Sequence, residues 1–330
     1  MEKCNWPCLG IDMSKNVFDV EVDGMSDSPR MQFSNSTDGY ASLIEWLVQK
    51  GIDKVHACVE STSRYHQALA EYLHENGHWV SIVNPRRVKA MRDMEGKQHK
   101  TDRLDAALIA RFCRKERPAR WTPQPIEIRQ LQELQRRLED LSKVMQQEIN
   151  RLESGITCPA LRFSIESHVE FLTLQIKQLE AVVKALVKQH PRLHRDYQLL
   201  VSIAGIGPKT ALTHLAENGY LDRFQTCRQL EMVNGLVPIK NESGTSRKGE
   251  HLSSKSRSRL RKTLYMAALS AMQFNPVIRE FATGLQQRGK PGKVVVCAVM
   301  RKLLRIMFGV LKSGIPFDAE HHHRLNRRFA

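Results

Sequence analysis

The chain has 330 residues, of which 41% are hydrophobic, and its formal net charge is +16. This length and composition predict a globular protein of about two domains and exclude a fibrous or disordered chain. The longest uninterrupted apolar run, residues 294–300, is far shorter than the roughly 20 residues that span a bilayer. The first residues also lack the basic and then apolar pattern of a secretory leader, so we expect a cytoplasmic protein without membrane association.

The seven cysteines are odd in number and lie at positions 4, 8, 58, 113, 158, 227 and 297. Only Cys4 and Cys8 are close in sequence, and neither a second cysteine pair nor a histidine pair completes the spacing of a zinc site. We therefore expect reduced thiols, as is usual in the cytoplasm.

The charge is unevenly distributed along the chain. Residues 1–80 hold six Lys and Arg against twelve Asp and Glu, whereas residues 81–330 hold 45 against 23. An acidic first part followed by a strongly basic remainder favours a cation-binding domain joined to a body that binds a polyanion. A basic protein that is merely soluble would have a more uniform excess.

The first 120 residues have the pattern of an α/β sheet domain. Strands alternate apolar and polar residues, and helices repeat apolar residues every three or four positions between a cap and a glycine. The predicted order is strands at 8–13, 16–22 and 30–34, a helix at 36–51, a strand at 54–60, a helix at 65–77 and a strand at 78–85. The order βββαβαβ predicts one α/β domain.

A further helix is predicted from Thr101, and its first turns carry Asp102 and Asp105. The spacing of three brings both carboxylates onto one face of the helix, where they repel each other unless a cation lies between them. Aspartates are also common in first turns because the helix dipole favours them there. On their own, the two residues do not decide between a metal site and a favourable helix end.

Two upstream acids favour the metal site. Asp12 lies on the first predicted strand, and Glu60 ends the fourth. Because the carboxyl ends of strands line the functional crevice of open α/β sheets, we expect Asp12, Glu60, Asp102 and Asp105 to converge. Four carboxylates suit two Mg²⁺ ions about 4 Å apart, which would clamp the attacking and leaving oxygens of a phosphodiester, and Mn²⁺ suits the same ligands.

The middle of the chain changes to a heptad pattern. After a proline-containing linker at 115–125, apolar seams at 131–152 and 165–186 predict an antiparallel coiled-coil hairpin within residues 121–190. Glu148 interrupts the first seam. The pattern leaves open whether the seam closes within one chain or between two chains.

Residues 191–330 are predicted to form a basic, mainly helical domain. Gly205 and Gly207 between two helical segments resemble a helix-hairpin-helix, whose backbone N–H groups, with Lys209 beside them, would contact DNA phosphates. A short Gly-x-Gly can equally well end a helix. Residues 241–263 hold seven basic residues against two acids, a composition typical of a phosphate-binding surface. The predicted contacts in this tract are Arg247, Lys248, Lys255, Arg257, Arg259, Arg261 and Lys262.

Residues 10–12 (GID), 59–62 (VEST) and 100–106 (KTDRLDA) are three motifs that contain the four acids. Together they resemble the IS110/IS1111 family of insertion-sequence transposases. The family includes the Piv-type DNA invertases and recombinases guided by a bridge RNA. The resemblance implies a ribonuclease H-like (RuvC-like) nuclease fold for residues 1–120, with Asp12, Glu60, Asp102 and Asp105 as its D-E-D-D tetrad. An actin-like phosphate loop is another reading of the first motif, but it explains neither the paired aspartates nor the basic remainder.

The resemblance continues in the second half, where residues 235–238 (GLVP) precede residues 242–244 (ESG). In the guided branch of the family the serine after such a segment is the nucleophile, which implies this role for Ser243. From the residues themselves Ser246 is an equal candidate. The family further implies a transient phosphoserine link to DNA, which stores the phosphodiester energy for rejoining without ATP.

The resemblance also implies the partners. They are donor and target double-stranded DNA, a structured non-coding guide RNA that reads sequence by base pairing, and further copies of the chain in a dimer or tetramer, in a bacterial or archaeal host. Two alternatives stay open: a metal-dependent endonuclease of the Holliday-junction type that uses water, and a non-catalytic nucleic-acid-binding scaffold.

Overall fold

The computed structural model describes residues 5–23, 29–61, 65–95, 102–243, 246–252 and 258–320. For residues 102–104, 239–243, 246–252 and 258 it describes the backbone alone. The chain divides into two compact units, Met1–Pro123 and Gln124–Ala330. Within the described ranges, every helix is too short or too polar to cross a membrane.

The first unit is a five-stranded mixed sheet with helices on both faces. Its elements are β1 (Cys8–Met13), β2 (Val17–Asp23), β3 (Arg30–Ser34), α1 (Thr37–Gln49), β4 (His56–Glu60), α2 (His66–Glu75), β5 (Trp79–Val83), α3 (Pro85–Met94) and α4 (Asp102–Glu116). The strand order is β3-β2-β1-β4-β5. The first three strands pair antiparallel, and β1, β4 and β5 run parallel. The predicted α/β sheet is confirmed, and its topology is consistent with a ribonuclease H-like fold.

Helix α3 is a correction to the sequence prediction, which has no helix between Pro85 and Thr101. The side chain of Asn84 caps α3 by accepting a hydrogen bond from the backbone N–H of Arg86 at 3.0 Å. Pro85 occupies the first helical turn, where its missing N–H is not needed. The Asn-Pro pair that ends β5 therefore also starts α3.

The two faces of the sheet carry separate cores. Leu9 and Ile11 of β1 pack with α1 and α2 on one face. Because successive side chains of a strand alternate between faces, Cys8 lies on the other face, where it packs with Cys58 and with Ile109 of α4. Helix α4 covers β1, β2 and β4 on this second face.

Gly10 permits α4 to lie directly on β1. A Cβ atom on Gly10 would overlap the carbonyl oxygen of Ala106 and lie 2.8 Å from the Cβ of Ala110. Further along α4, the thiol of Cys113 donates to the carbonyl oxygen of His56 at the amino end of β4, with a donor–acceptor distance of 3.4 Å. Helix α4 therefore runs antiparallel to β1, with its first turn towards the carboxyl ends of β1 and β4.

The second unit is mainly helical. Its elements are α5 (Ile126–Glu153), α6 (Pro159–Gln189), α7 (Pro191–Val201), α8 (Pro208–Asn218), a 3₁₀ turn (Leu221–Arg223), α9 (Cys227–Val233), β6 (Pro238–Ser243), β7 (Ser246–Leu252), α10 (Ser258–Phe274), α11 (Pro276–Gln287) and α12 (Gly292–Ser313). The strands β6 and β7 form an antiparallel hairpin that the sequence prediction lacks.

Helices α5 and α6 pack against each other within the second unit. Ile128 of α5 and Val183 of α6 belong to the same core as α7, α8, α10 and α12. Glu148, which interrupts the predicted seam, is buried between the two helices and accepts hydrogen bonds from Arg151 at 2.8 Å and from His168 of α6 at 3.2 Å. The polar seam position is therefore satisfied by an ion pair within the hairpin.

Replacing Gly10 by alanine should destabilise the first unit by about 3 kcal/mol or more, because the added methyl group overlaps the backbone of α4. Guanidinium chloride unfolding followed by circular dichroism measures the loss. Gly284→Ala in α11 is the control, since a Cβ atom there meets no atom within 4 Å. This control should be neutral or gain up to about 1 kcal/mol. Unchanged stability of Gly10→Ala would contradict the contact between α4 and β1.

Candidate active site

Two acidic residues lie side by side at the carboxyl edge of the sheet. Strands β1 and β4 pair in parallel as far as Ile11 and Val59, and Asp12 and Glu60 are the next residue on each strand. Paired residues of parallel strands point to the same face of the sheet. Both half-buried acids therefore lie on the face that α4 covers.

The first turn of α4 carries Asp102 and Asp105. Gly10 lies beneath the middle of this helix, and Asp12 is two residues, about 6.6 Å, further along β1. Because α4 runs antiparallel to β1, the four residues from Ala106 back to Asp102 also cover about 6 Å towards the carboxyl end of β1. The backbone of the first turn therefore reaches the level of Asp12. The side chain of Asp102 lies outside the described atoms, whereas Asp105 is buried, with 9% of its surface exposed.

Asp105 has a cationic partner on α3. Nη2 of Arg92 donates to Oδ1 of Asp105 at 2.5 Å, and the two side chains are 20% and 13% exposed. Arg92 is absent from the predicted site because it lies on the helix that the prediction lacks. The Asn84–Pro85 start signal would have indicated that helix and put Arg92 in its last turn, where the helix dipole favours a basic residue.

The electrostatic surroundings of α4 differ between its two ends. Near its carboxyl end, Asp23 of β2 pairs with Arg114 of α4 at 3.2 Å. Between the ends, burial raises the pKa of the carboxyl group of Glu21 above its usual value, although Arg30 pairs with it at 2.5 Å. The amino end of α4 brings its own two aspartates to the level of the sheet edge that holds Asp12 and Glu60. Asp105 there is paired with Arg92, and carboxylate oxygens are also ligands for a divalent cation.

Asp19 is a further carboxylate at this edge, and it is not among the predicted site residues. It lies directly across from Asp12 in the antiparallel pairing of β1 with β2. The side-chain amide of Gln32 donates to its two oxygens at 3.1 and 3.2 Å. The alternation of β2 was the available signal, since it makes Asp19 an inward position on the face of Glu21. Because Gln32 already occupies its carboxylate, Asp19 is a matched control for Asp12.

Ser243 belongs to the second unit and is the last residue of β6. It pairs with Ser246 at the closed end of the β6–β7 hairpin. Arg247 and Lys248, two of the predicted nucleic-acid contacts, follow on β7 opposite Glu242 and Asn241. The structure describes the backbone alone at all six of these positions, so it brings Ser243 and the basic pair onto one hairpin without defining their side chains.

The remaining predicted contacts fall on several surfaces. Gly207 and Lys209 are exposed at the start of α8, and Lys262 is exposed on α10. Arg261 is half-buried and lines a groove of about 630 Å³ together with Lys262 and the exposed ring of Tyr265. Lys255 and Arg257 lie outside the described residues.

Two of the predicted contacts have partners within the second unit. Gly205 has a φ of +96°, and a Cβ atom there would lie 2.5 Å from the Cβ of Ala271 on α10, so close packing requires glycine. Arg259 pairs with Glu139 of α5 at 2.6 Å and with Glu217 of α8 at 3.7 Å. These contacts account for both residues without a nucleic acid.

Comparison with known proteins identifies the family. Residues 9–157 match the IS110 DEDD model, described as a transposase, and residues 197–283 match the model described as transposase IS116/IS110/IS902 family. The chain is 30% identical over 322 residues to the pilin gene-inverting protein of Moraxella bovis, which covers 95% of this chain and 98% of that protein. The chain belongs to the IS110 family of transposases.

Other relatives are consistent with this membership. The pilin gene-inverting protein of Moraxella lacunata is also 30% identical, over the same shares of both chains. The transposase of insertion sequence element IS1328 from Yersinia enterocolitica is 24% identical over 348 residues, covering 95% of this chain and 99% of that protein. The IS110 match at 9–157 contains all four predicted tetrad residues, and the match at 197–283 contains Ser243.

Replacing Arg92 by glutamine should destabilise the first unit by about 1.5–3 kcal/mol, because the largely buried carboxylate of Asp105 loses its guanidinium partner. Urea unfolding measures the loss. Glu116→Gln is the control, since it removes an exposed pair with Arg87 between the same two helices. The control should lose at most about 1 kcal/mol. Equal losses in the two variants would show that the Arg92–Asp105 pair stabilises the first unit no more than an exposed ion pair does.

Proposed function

We propose that this IS110-family chain is a site-specific DNA transposase that cuts and rejoins DNA with Mg²⁺ held by Asp12, Glu60, Asp102 and Asp105. Family membership supports DNA as the substrate, because the relatives are named as transposases and as pilin gene-inverting proteins. The observation that carries the metal assignment is the adjacency of Asp12 and Glu60 at one sheet edge, level with the acidic first turn of α4.

The chemistry of the donors fits a hard divalent cation. Carboxylate oxygens are the protein ligands that Mg²⁺ and Mn²⁺ prefer, and a single helical turn and two adjacent strand ends supply them. When bound, the metal would stabilise the charge that develops on the scissile phosphate. In this proposal Arg92 is a positioning residue, because it holds Oδ1 of Asp105 and so orients the carboxylate.

The proposed nucleophile is Ser243. Its Oγ would form a bond to phosphorus while the sugar oxygen of the cleaved strand leaves and takes up a proton. The phosphoserine link keeps the energy of the phosphodiester, so that rejoining needs no ATP. The position of Ser243 at the closed end of a hairpin, followed by Arg247 and Lys248, supports access to a phosphate.

The proposal extends to the partners. The strongly basic composition after residue 80 supports binding to long polyanions. We propose that these are both DNA duplexes and a structured guide RNA. The paired helices α5 and α6 support a coiled-coil arm, and the exposed Gly207 and Lys209 at the start of α8 support a helix-hairpin-helix contact with phosphate. Since two DNA molecules must be held together, we propose a dimer or tetramer, in which the tetrad and Ser243 can come from different subunits.

A covalent-capture gel tests the nucleophile. The full-length protein is mixed with the RNA encoded beside its gene, end-labelled element-junction DNA and Mg²⁺, and is then denatured. We expect a denaturant-stable protein–DNA band that disappears in Ser243→Ala and persists in the matched Ser246→Ala variant, its partner across the hairpin. An adduct that survives in Ser243→Ala would refute this assignment. Cleaved DNA without any adduct would indicate the water-using endonuclease instead.

Single-turnover cleavage rates test the metal ligands. Asp12→Asn should cleave at least about 100-fold more slowly in Mg²⁺, because a ligand worth several kcal/mol of transition-state stabilisation is removed. Asp19→Asn should cleave at close to the normal rate, and both variants should bind DNA normally in a gel-shift assay. Normal cleavage by Asp12→Asn would contradict the tetrad, and equal loss in both variants would indicate a general effect of negative charge.

A further inference from the structure

A second cluster of metal-binding side chains lies at the opposite end of α4. Ligand atoms of Cys8, His56 and Cys113 all lie within 4.8 Å of one another. The three residues are 2%, 1% and 0% exposed. Cys8 and His56 begin β1 and β4 and pair directly in the parallel register, while Cys113 comes from the last turns of α4. The cluster is therefore at the amino edge of the sheet, about 13 Å along β1 from Asp12.

Sequence spacing does not reveal this set. The zinc motifs that can be read from a sequence place pairs of ligands a few residues apart, whereas these three residues are dozens of positions apart. The prediction that the cysteines form no zinc site rests only on their spacing along the sequence. The register of β1 with β4 and the direction of α4 bring the side chains together.

The hydrogen bonds around His56 determine its tautomer. The hydroxyl group of Ser81 donates to the backbone carbonyl oxygens of Ala119 at 2.9 Å and Pro118 at 3.0 Å. Because a hydroxyl group has one hydrogen, Ser81 must accept the hydrogen bond that links it to Nε2 of His56 at 2.8 Å. Nε2 therefore carries the proton, and Nδ1 carries a lone pair.

That lone pair is buried without a hydrogen-bond partner among the described residues. A buried polar atom without a partner is costly, so its persistence needs a reason. Histidine ligands of metals typically donate their other N–H to an oxygen, which orients the ring and leaves the second nitrogen for the ion. The bond from His56 to Ser81 has this form.

Cys58 is the proposed fourth ligand, and its sulfur lies outside the group of atoms within 4.8 Å, so binding of the ion requires its side chain to move towards the other three. Cys58 lies two residues after His56 on β4, hence on the same face, and it is fully buried. Its side chain packs in the same small core as those of Cys8 and Cys113. Three thiols and one imidazole in a closed, dry environment are the donor set of a structural zinc site.

We propose that Cys8, His56, Cys58 and Cys113 bind one Zn²⁺ ion that anchors the carboxyl-terminal half of α4 to the sheet. Binding displaces one proton from each of the three thiols to solvent, and the ion with three thiolates carries one negative charge. The guanidinium group of Arg117, which interacts electrostatically with Cys8 and Cys113, offsets that charge. The site does not depend on the proposed DNA chemistry, and its role is structural.

Metal content tests the site. Full-length protein is produced in zinc-containing medium, purified without chelators and analysed by inductively coupled plasma mass spectrometry. We expect about one zinc per chain, retained in the control Cys158→Ser, whose thiol is exposed, and reduced about tenfold or more in Cys113→Ser. A folded wild-type protein with less than about 0.1 zinc per chain, which takes up none when zinc is added, would overturn the proposal.

A second measurement keeps the test valid if Cys113→Ser fails to fold. Wild-type protein stripped of metal and given Co²⁺ should show the thiolate charge-transfer bands and the d–d bands of a tetrahedral site. Removal of the metal should lower the melting temperature by about 4 °C or more, and Zn²⁺ should restore it. Absence of the cobalt spectrum, or a Cys8–Cys113 disulfide found by mass spectrometry in the purified protein, would refute the zinc site.

Discussion

The contact between Gly10 and the backbone of α4 is the constraint on which the first unit depends. A glycine in the middle of β1 lets a helix lie directly on the strand, and the helix then runs antiparallel to it. Its amino end comes to the carboxyl edge of the sheet and its carboxyl end to the amino edge. The same helix can therefore present carboxylates at one edge and a thiol at the other.

The sheet could be predicted from the sequence because its strands keep the two-residue alternation of half-buried β structure, which also put Asp12 on β1 and Glu60 at the end of β4. The adjacency of these two acids depends on the parallel register of β1 with β4, which β2, β3 and α1 separate along the chain, so only the general rule about the carboxyl ends of strands predicts it. Arg92 is absent from the predicted site because Asn84 and Pro85 end β5 and also begin α3, and the prediction contains only the end of the strand. The thiol and imidazole cluster was missed because only the tertiary register assembles it.

The second unit shows a different limit of sequence patterns. The β6–β7 hairpin is rich in charged residues and small polar residues, which hide the alternation that identifies strands. Arg259 belongs to a basic tract that is typical of phosphate binding, yet it forms ion pairs with α5 and α8. Composition indicates the net character of such a surface, and only the packing separates the arginines that hold the helices together from those that remain exposed.

The central claim is that the carboxyl edge of β1 and β4 and the first turn of α4 form the divalent cation site. The most direct test is a crystal structure of the protein with Mn²⁺ and DNA, in which anomalous scattering locates the metal. We expect anomalous peaks between the carboxylates of Asp12, Glu60, Asp102 and Asp105. The claim would be contradicted by a structure with DNA bound in which manganese lies elsewhere and none of these four carboxylates binds it.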